Sequence, residues 1–544
     1  MKKNSFVEGT FIATFAIIIV KVLGALYVIP FYRIIGESGG ALYSYAYNVY
    51  NLFLNISTAG IPIAISKIIT EYNTLNMYEA KERTYKLGRN IILIISLIAF
   101  FLLFVFSKEF ALLILGEIKG GNTLEDVSFV IKCVSFCLLI IPFLSVSKGY
   151  LQGHKYITPS SISQVIEQVV RIAVILMGSY IVINVLNKSV TLGVGISVLG
   201  AFIGGLSAYL YIKIKIIKNK KDFPVKEEKD NVTNKEIFKK IIKYSIPLII
   251  VSIATDIYSL TDMTLVVRTS YKLGYTAKES ELIASIISTW APKICMIINA
   301  VAIGMGTSLI PHMVTSYTKK DFEGSNQRFN EALKIIIVST LPLAVGLAFL
   351  SEPVYTLFYG KSTYGTLILR YTSISSFFAS IYIVISLSLQ SLNKFKTVYI
   401  SSIIGFLINA LLDVPLMYLF SLIGLEAFYG AILATILGYV FSYFYSLTSL
   451  KKSMNFSYKE VLKTIKDVLL PIVCMLISLI ILNLFIKLPN SGLIKICLVL
   501  ILYTIIGALV YLGISYKTGL LNDVFGKEYI TRILNKLHLR RKKC

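Results

Sequence analysis

The stretch DVLLPIVCMLISLIILNLFIK, residues 467–487, carries one charge at each end and none between them. An α-helix rises about 1.5 Å per residue, so about 20 apolar residues match the hydrocarbon core of a bilayer. Thirteen further apolar stretches of similar length run through the chain. The pattern predicts an all-α polytopic membrane protein of about fourteen transmembrane helices, at residues 10–34, 43–68, 90–115, 127–149, 160–186, 190–214, 241–268, 282–312, 333–351, 367–390, 397–421, 427–449, 467–487 and 493–515.

Composition and charge placement agree with this class of protein. Apolar residues make up 56% of the chain, charged residues 15%, and the mean hydropathy is +0.75. Of the 54 Lys and Arg residues, 39 lie in the N-terminus, the even-numbered connections and the C-terminal tail, whereas 11 lie in the odd-numbered connections. This asymmetry follows the positive-inside rule and predicts that both termini lie in the cytoplasm. The net charge of +25 is therefore assigned to topology and anionic lipid headgroups, and no nucleic-acid partner is expected.

The connections offer no catalytic site. None exceeds about 30 residues; the first outer connection offers Glu37 as its one carboxylate, and the third offers Glu117, Glu125 and Asp126 with no histidine. The six Cys form no Cys-x-x-Cys pair, the chain has only three His, and no Gly-x-x-x-x-Gly-Lys-Ser/Thr loop occurs. We therefore expect a translocating protein that is not an enzyme and holds no metal or other cofactor.

Two connections resemble each other. Residues 150–156 (YLQGHKY) and 388–395 (SLQSLNKF) share the order Leu-Gln, basic, aromatic, about 240 residues apart. Internal repeats of this kind are common in transporters. They predict two six-helix lobes in the same orientation, related by pseudo-two-fold symmetry. The expected domains are an N-terminal lobe 1–216, a basic cytoplasmic linker 217–240, a C-terminal lobe 241–450, an extra helix pair 451–516 and a basic cytoplasmic tail 517–544.

A family resemblance follows from the first two spans. They contain residues 21–24 (KVLG), Tyr27, Pro30, Gly36, Gly39-Gly40 and residues 57–67 (STAGIPIAISK). With the span number and the lobes, these residues resemble the stage V sporulation protein B branch of the multidrug/oligosaccharidyl-lipid/polysaccharide exporter superfamily. That branch is related to the lipid II flippases of the MurJ type.

The resemblance implies translocation of undecaprenyl-pyrophosphate-linked peptidoglycan precursor from the inner to the outer leaflet, for cell wall or spore cortex synthesis. It also implies a central cavity between the lobes for the headgroup and a groove near the last two helices for the lipid tail. Flippases of Gram-negative bacteria carry several Arg along spans one and two. Here Lys21 matches the first of them, whereas the others fall on apolar or neutral residues such as Tyr27 and Asn55.

Charged residues inside spans mark the candidate site, because an ionisable group at mid-membrane costs about 3 kcal/mol and should face a wet cavity or a partner. Lys21 and Asp256 lie at approximately equivalent points of the two repeats. We expect Lys21 to meet the pyrophosphate and Asp256 to respond to protons or cations; the alternative is a structural ion pair. Glu167 and Arg171, four apart, either bind substrate or neutralise each other. The candidate cavity residues are Lys21, Asn55, Lys67, Glu167, Arg171, Asp256, Asp262 and Lys293.

Small residues and proline predict hinges in spans two and eight. Gly60 and Pro62 lie at a point equivalent to Gly304 and Gly306, and such residues weaken helix continuity. The alternative interpretation is close helix packing through small residues.

The expected mechanism is alternating access by a monomer, coupled to the membrane potential, H+ or Na+. Two other functions remain open: a flippase for another lipid-linked oligosaccharide or polysaccharide unit, and a cation-coupled drug exporter. The extra helix pair argues against the exporter. A membrane glycan polymerase is disfavoured by the short outer connections.

Overall fold

The computed structural model of the protein is α-helical throughout its described part, with no strand there, as predicted. Helices suit an apolar chain because they satisfy every backbone polar group inside lipid. The described residues are 6–58, 60–116, 118, 121–219, 221, 223, 231–318, 320–489, 491–527, 530 and 531. The helices are α1 (Phe6–Leu26), α2 (Val28–Thr58), α3 (Ile61–Thr74), α4 (Tyr78–Val105), α5 (Ser107–Leu115), α6 (Leu124–Ser135), α7 (Ile141–Gly153), α8 (Ile157–Tyr180), α9 (Val190–Lys218), α10 (Asn234–Lys272), α11 (Ala277–Ser285), α12 (Ala291–Thr318), α13 (Phe322–Phe349), α14 (Ser351–Tyr359), α15 (Thr363–Ser391), α16 (Phe395–Leu422), α17 (Phe428–Met454), α18 (Lys459–Phe485), α19 (Leu493–Lys517) and α20 (Leu520–Phe525).

Twelve helical segments in the described residues are long and apolar enough to cross a membrane. They correspond to twelve of the predicted spans. The other two predicted spans, 10–34 and 241–268, fall largely on α1 and α10, which are not among the twelve. The protein is thus a multi-pass membrane protein, and the total of fourteen spans stays a prediction.

The N-terminal helices are interrupted at points that hydropathy does not reveal. The predicted span 10–34 is divided at Tyr27, between α1 and α2. Within α2, Gly36 has φ 67° and ψ −172°, a backbone conformation that side chains with a Cβ rarely adopt. The predicted span 43–68 is divided near Gly60, which precedes α3.

The first compact unit extends to Thr289. In it α8 packs on α9, α3 packs on α7, and α10 packs on α2, α3 and α5. Several contacts are backbone to backbone: a Cβ on Gly149 of α7 would lie 2.5 Å from the carbonyl oxygen of Pro62 in α3. Glycine at this position therefore lets the two helices approach closely.

The second compact unit begins at Trp290. Here α16 packs on α17, α15 packs on α12 and α13, and α18 packs on α19 and α13. The hydroxyl of Tyr511 in α19 donates to the carbonyl oxygen of Val338 in α13 at 2.7 Å. The C-terminal helix pair is therefore fastened to this unit.

Each unit buries an aromatic side chain that lies in a connection between two helices, after α9 in the first unit and after α17 in the second. Phe223, after α9, lies with its ring centroid 5.2 Å from Tyr150 and 5.0 Å from His154. Phe456, after α17, lies 5.8 Å from Phe329. Both are buried, and their spacing is close to that of the sequence repeat. The predicted domain boundaries themselves stay a prediction.

Candidate functional site

An ionic cluster joins α7 and α8 in the first unit. Oε2 of Glu167 lies 2.9 Å from Nζ of Lys148, and Oε1 lies 3.3 Å from Nη2 of Arg171. Glu167 and Arg171 are therefore close together, as predicted. Lys148 is an additional member that the sequence did not reveal, because it stands at the end of the apolar run 127–149, next to the cytoplasmic connection. The cluster holds two cations and one carboxylate.

A run of tyrosines on α2 forms ring contacts in the first unit. Tyr43 and Tyr47 are stacked with ring centroids 5.4 Å apart, and Tyr47 and Tyr50 are 6.1 Å apart. They lie on α2, which packs on α8, the helix that carries Arg171.

Two candidate residues from distant parts of the sequence meet in the first unit. Nδ2 of Asn55 in α2 donates to Oδ2 of Asp256 in α10 at 2.7 Å. Both residues are half-buried. A half-buried carboxylate is thus held by a neutral amide, which leaves its charge uncompensated at this contact.

The other two cationic candidates of the first unit lie elsewhere. Lys21 is half-buried on α1, which packs on α8. Lys67 is exposed on α3, with Nζ 4.1 Å from the ring centroid of Tyr244 in α10, a cation–π contact. The structure therefore does not place Lys67 with the ionic cluster.

Asp262 and Lys293 belong to different units. Asp262 is 7% exposed on α10 of the first unit. Lys293 is half-buried at the start of α12 in the second unit, with Nζ 4.4 Å from the ring centroid of Trp290. Their contribution to a common cavity stays a prediction.

The hinge candidates differ in their surroundings. A Cβ on Gly60 would collide with the carbonyl oxygen of Ser245 in α10, whereas a Cβ on Gly304 would meet no heavy atom within 4 Å. Pro62 is buried at the start of α3, and Gly306 lies within α12. Gly60 thus supports close packing at a helix break, whereas the hinge at Gly304 stays a prediction.

A buried polar cluster, not expected from the sequence, ties α2 to the π-helical segment that follows α11. The hydroxyls of Ser44 and Thr289 lie 2.5 Å apart, and Nδ2 of Asn48 donates to Thr289 at 2.9 Å. Ser288 lies 3.2 Å from Ser44. Serines are too common in this chain to mark such a cluster from sequence.

The second unit holds a buried acidic group on α16. Asp413 and Asn409 are both fully buried, and Nδ2 of Asn409 lies 3.4 Å from Oδ1 of Asp413. The same amide nitrogen donates to the hydroxyl of Thr435 in α17 at 3.2 Å. Carboxylate, amide and hydroxyl oxygens are the groups that bind hard cations.

An apolar groove of about 560 Å³ lies beside the C-terminal helices of the second unit. Its walls come from α12, α13, α18 and α19, with α14 and α20 at its ends. The lining is almost entirely hydrocarbon, including Pro342, Leu479, Gly507 and Leu512. Such a groove fits an alkyl or prenyl chain and does not fit a hydrated sugar.

Known proteins match this chain over nearly its whole length. The family model "Polysaccharide biosynthesis protein" matches residues 6–316, and the model "MatE" matches residues 247–415. The lipid II flippase MurJ of Bacillus subtilis (strain 168) is 32% identical over 96% of this chain and 97% of its own length. Stage V sporulation protein B of the same organism is 23% identical over 75% of this chain and 77% of its own.

The chain belongs to the polysaccharide biosynthesis protein family, in its MurJ-type branch. The resemblance seen in spans one and two is thereby confirmed. A solved structure of the lipid II flippase MurJ in an inward closed conformation has the same fold, with a TM-score of 0.69 and 20% identity, covering 96% of this chain and 100% of that one.

The MurJ-type resemblance implied a groove near the last two helices, and this structure has one between α13 and the α18–α19 pair. It also implied cationic side chains for a headgroup. In span two of this chain, Asn55 bonds Asp256. Two half-buried cations of the first unit, Lys148 and Arg171, lie on α7 and α8 around Glu167.

Proposed function

We propose that this protein is a lipid II flippase, which moves undecaprenyl-pyrophosphate-linked peptidoglycan precursor from the inner to the outer leaflet of the bacterial plasma membrane. The observation that carries the proposal is the 32% identity to a lipid II flippase over 96% of the chain. Similarity at this level and length favours a common activity, and no covalent chemistry is required of the protein.

The apolar groove supports a lipid-linked substrate. While the headgroup crosses the membrane, most of the prenyl tail can stay in the bilayer. A groove that is open to lipid can therefore guide the tail. The lining residues Ile297, Leu343 and Leu512 are exposed apolar side chains, as expected for a wall that meets hydrocarbon. The C-terminal helix pair that forms one wall also argues against a drug exporter with a twelve-helix core.

Transport proceeds by alternating access and draws on the membrane potential or on an H+ or Na+ gradient. A potential that is negative inside favours outward movement of the anionic headgroup, by about 2.3 kcal/mol per charge for each 100 mV crossed. The buried group of Asp413, Asn409 and Thr435 supports a cation-responsive site in the second unit. Bound there, H+ or Na+ would neutralise the Asp413 carboxylate.

The functional form is a monomer with both termini in the cytoplasm. The charge asymmetry of the connections supports this orientation. Cysteine labelling from either side of the membrane, at introduced sites in the N-terminal and C-terminal tails, would test it.

The decisive experiment follows labelled lipid II in spheroplasts depleted of their own flippase. We expect the label to become accessible in the outer leaflet when this protein is expressed, and not with an empty vector. Collapse of the potential and of ion gradients should abolish the movement. Lipid II that stays inside despite normal expression contradicts the proposal.

A second candidate substrate is another undecaprenyl-linked glycan. The family model "Polysaccharide biosynthesis protein" over residues 6–316 favours it. The same spheroplasts, supplied with a labelled polysaccharide repeat unit on the same lipid, distinguish the two, because only the preferred headgroup should reach the outer leaflet.

A further inference from the structure

The Lys148–Glu167–Arg171 cluster has more donors than acceptors. Each oxygen of Glu167 is paired with a different cation, at 2.9 Å to Lys148 and 3.3 Å to Arg171. Lys offers three N–H donors and Arg five, while Glu167 supplies two oxygens. The side chains are only 13%, 16% and 23% exposed for Lys148, Glu167 and Arg171, so water satisfies little of the excess.

Unpaired donors lie beside the cluster. Nε of Arg171 and the hydroxyl of Tyr50 are buried and have no hydrogen-bond partner among the described residues. A buried donor without a partner costs about 1–3 kcal/mol. A purely structural ion pair needs one cation for its carboxylate, whereas this cluster has a formal charge of +1 and unused donors. These features are those of a site that receives an anion.

Lys148 and Glu167 lie in the halves of α7 and α8 that adjoin the connection between the two helices. Lys148 is about one turn from the end of α7, and Glu167 is about three turns into α8. The connection between these helices is cytoplasmic under the predicted topology. Arg binds phosphate oxygens in a bidentate manner, and Lys binds them as a point charge.

We propose that Lys148 and Arg171 form the subsite for the phosphate-bearing part of the lipid headgroup, and that Glu167 holds both cations in place until the anion displaces it. This inference rests on the proposed function, and it names the residues that would bind the pyrophosphate. Glu167 acts as a positioning residue and as a competitor of the substrate.

The test measures the Kd of purified protein for undecaprenyl pyrophosphate and for lipid II. The variants are Lys148→Met, Arg171→Met and Glu167→Gln. Lys334→Met is the matched control, because Lys334 is also 13% exposed and pairs with Glu460 at 2.9 Å. We expect Lys148→Met and Arg171→Met to weaken binding of both ligands about tenfold or more. Glu167→Gln should tighten binding, since the competing charge is removed, and Lys334→Met should leave it unchanged.

The signs of these effects separate a binding role from a structural one. A structural cluster predicts that all three variants weaken binding and lower the melting temperature together, which overturns the proposal. If Lys148→Met does not fold, Lys148→Arg can replace it, because it keeps the charge and should bind like the wild type. Glu167→Gln still tests whether loss of the carboxylate charge tightens or weakens binding.

The two ligands separate the inference from the proposed function. Wild-type binding of lipid II with no effect of Lys148→Met or Arg171→Met overturns the subsite and leaves the flippase. Binding of undecaprenyl pyrophosphate but not lipid II, weakened in Lys148→Met, retains the subsite and overturns lipid II as substrate. Equal competition by phosphatidylglycerol vesicles assigns the cations to ordinary phospholipid and overturns the subsite.

Discussion

Asn55 donates a hydrogen bond from Nδ2 to Oδ2 of Asp256 at 2.7 Å, and this bond ties α2 to α10. The two residues are separated by 201 positions in the sequence. A carboxylate held by an amide can gain or lose a proton, or accept a cation, without breaking an ion pair. The relationship therefore suits a group that responds to protons or cations better than a fixed ion pair would.

Replacing Asn55 by Leu should destabilise the protein, because the half-buried Asp256 carboxylate loses its donor. We expect a loss of about 1–3 kcal/mol in the free energy of unfolding. Asn51, one turn earlier on α2, is also half-buried and has no side-chain hydrogen bond among the described residues that would be lost. Asn51→Leu is therefore the control, and thermal unfolding in detergent is the measurement. Equal melting temperatures for the two variants would show that the bond contributes nothing.

Asp256→Asn should preserve the fold and change the coupling. An amide at this position can still accept from Asn55, but it cannot titrate or carry charge. We expect flipping to persist with reduced dependence on the pH or Na+ gradient. The measurement compares transport in proteoliposomes with and without each gradient. An unchanged gradient dependence would exclude Asp256 from coupling.

Filling the apolar groove should block transport. Gly507 lines the groove, and a Cβ there would lie 3.4 Å from Leu479, so a leucine at this position projects into the groove space. We expect Gly507→Leu to reduce flipping about tenfold or more while the protein remains folded. Gly513, on the same helix, does not line the groove, and a Cβ added there would meet no heavy atom within 4 Å, so Gly513→Leu should be silent. Similar activity of both variants would remove the groove from the path of the tail.

The two predicted hinges should respond differently to a methyl group. Gly60→Ala places a Cβ against the backbone oxygen of Ser245, which cannot move aside like a side chain end, so we expect destabilisation by about 1–3 kcal/mol. A Cβ on Gly304 would meet no heavy atom within 4 Å, and alanine favours the helical backbone more than glycine, so Gly304→Ala should keep or raise the melting temperature. Gly304→Leu that retains full transport would contradict a hinge in α12.

Phe223 should anchor the basic connection between α9 and α10. It is 6% exposed and packs on Tyr150, His154 and Tyr156. We expect Phe223→Ala to speed tryptic cleavage within residues 217–240, whereas alanine at Phe238, which is 48% exposed, should not. Cleavage at the wild-type rate in the first variant would mean that other contacts hold this connection.

Much of the candidate site was present in the sequence as separate residues. Asn55, Asp256, Glu167 and Arg171 all stand out as polar groups in apolar spans, since each is expensive in lipid. The residues that contact them were harder to predict from the sequence. Lys148 stands at the edge of a span, where a lysine ordinarily extends to the interface, and nothing in its neighbourhood predicts a contact with Glu167.

The sequence alone predicts the class of fold, the membrane setting and the topology. Insertion of a helix into a bilayer depends on the hydropathy of about 20 consecutive residues and on the charges that flank them, which are local properties. The pairing of charges required the tertiary structure. Helix rotation and separation are decided by close backbone approaches at glycines: a Cβ on Gly204 of α9 would lie 2.5 Å from the carbonyl oxygen of Glu167, and one on Gly149 equally close to that of Pro62. These contacts join residues far apart in sequence, so no local periodicity encodes which side chains will meet.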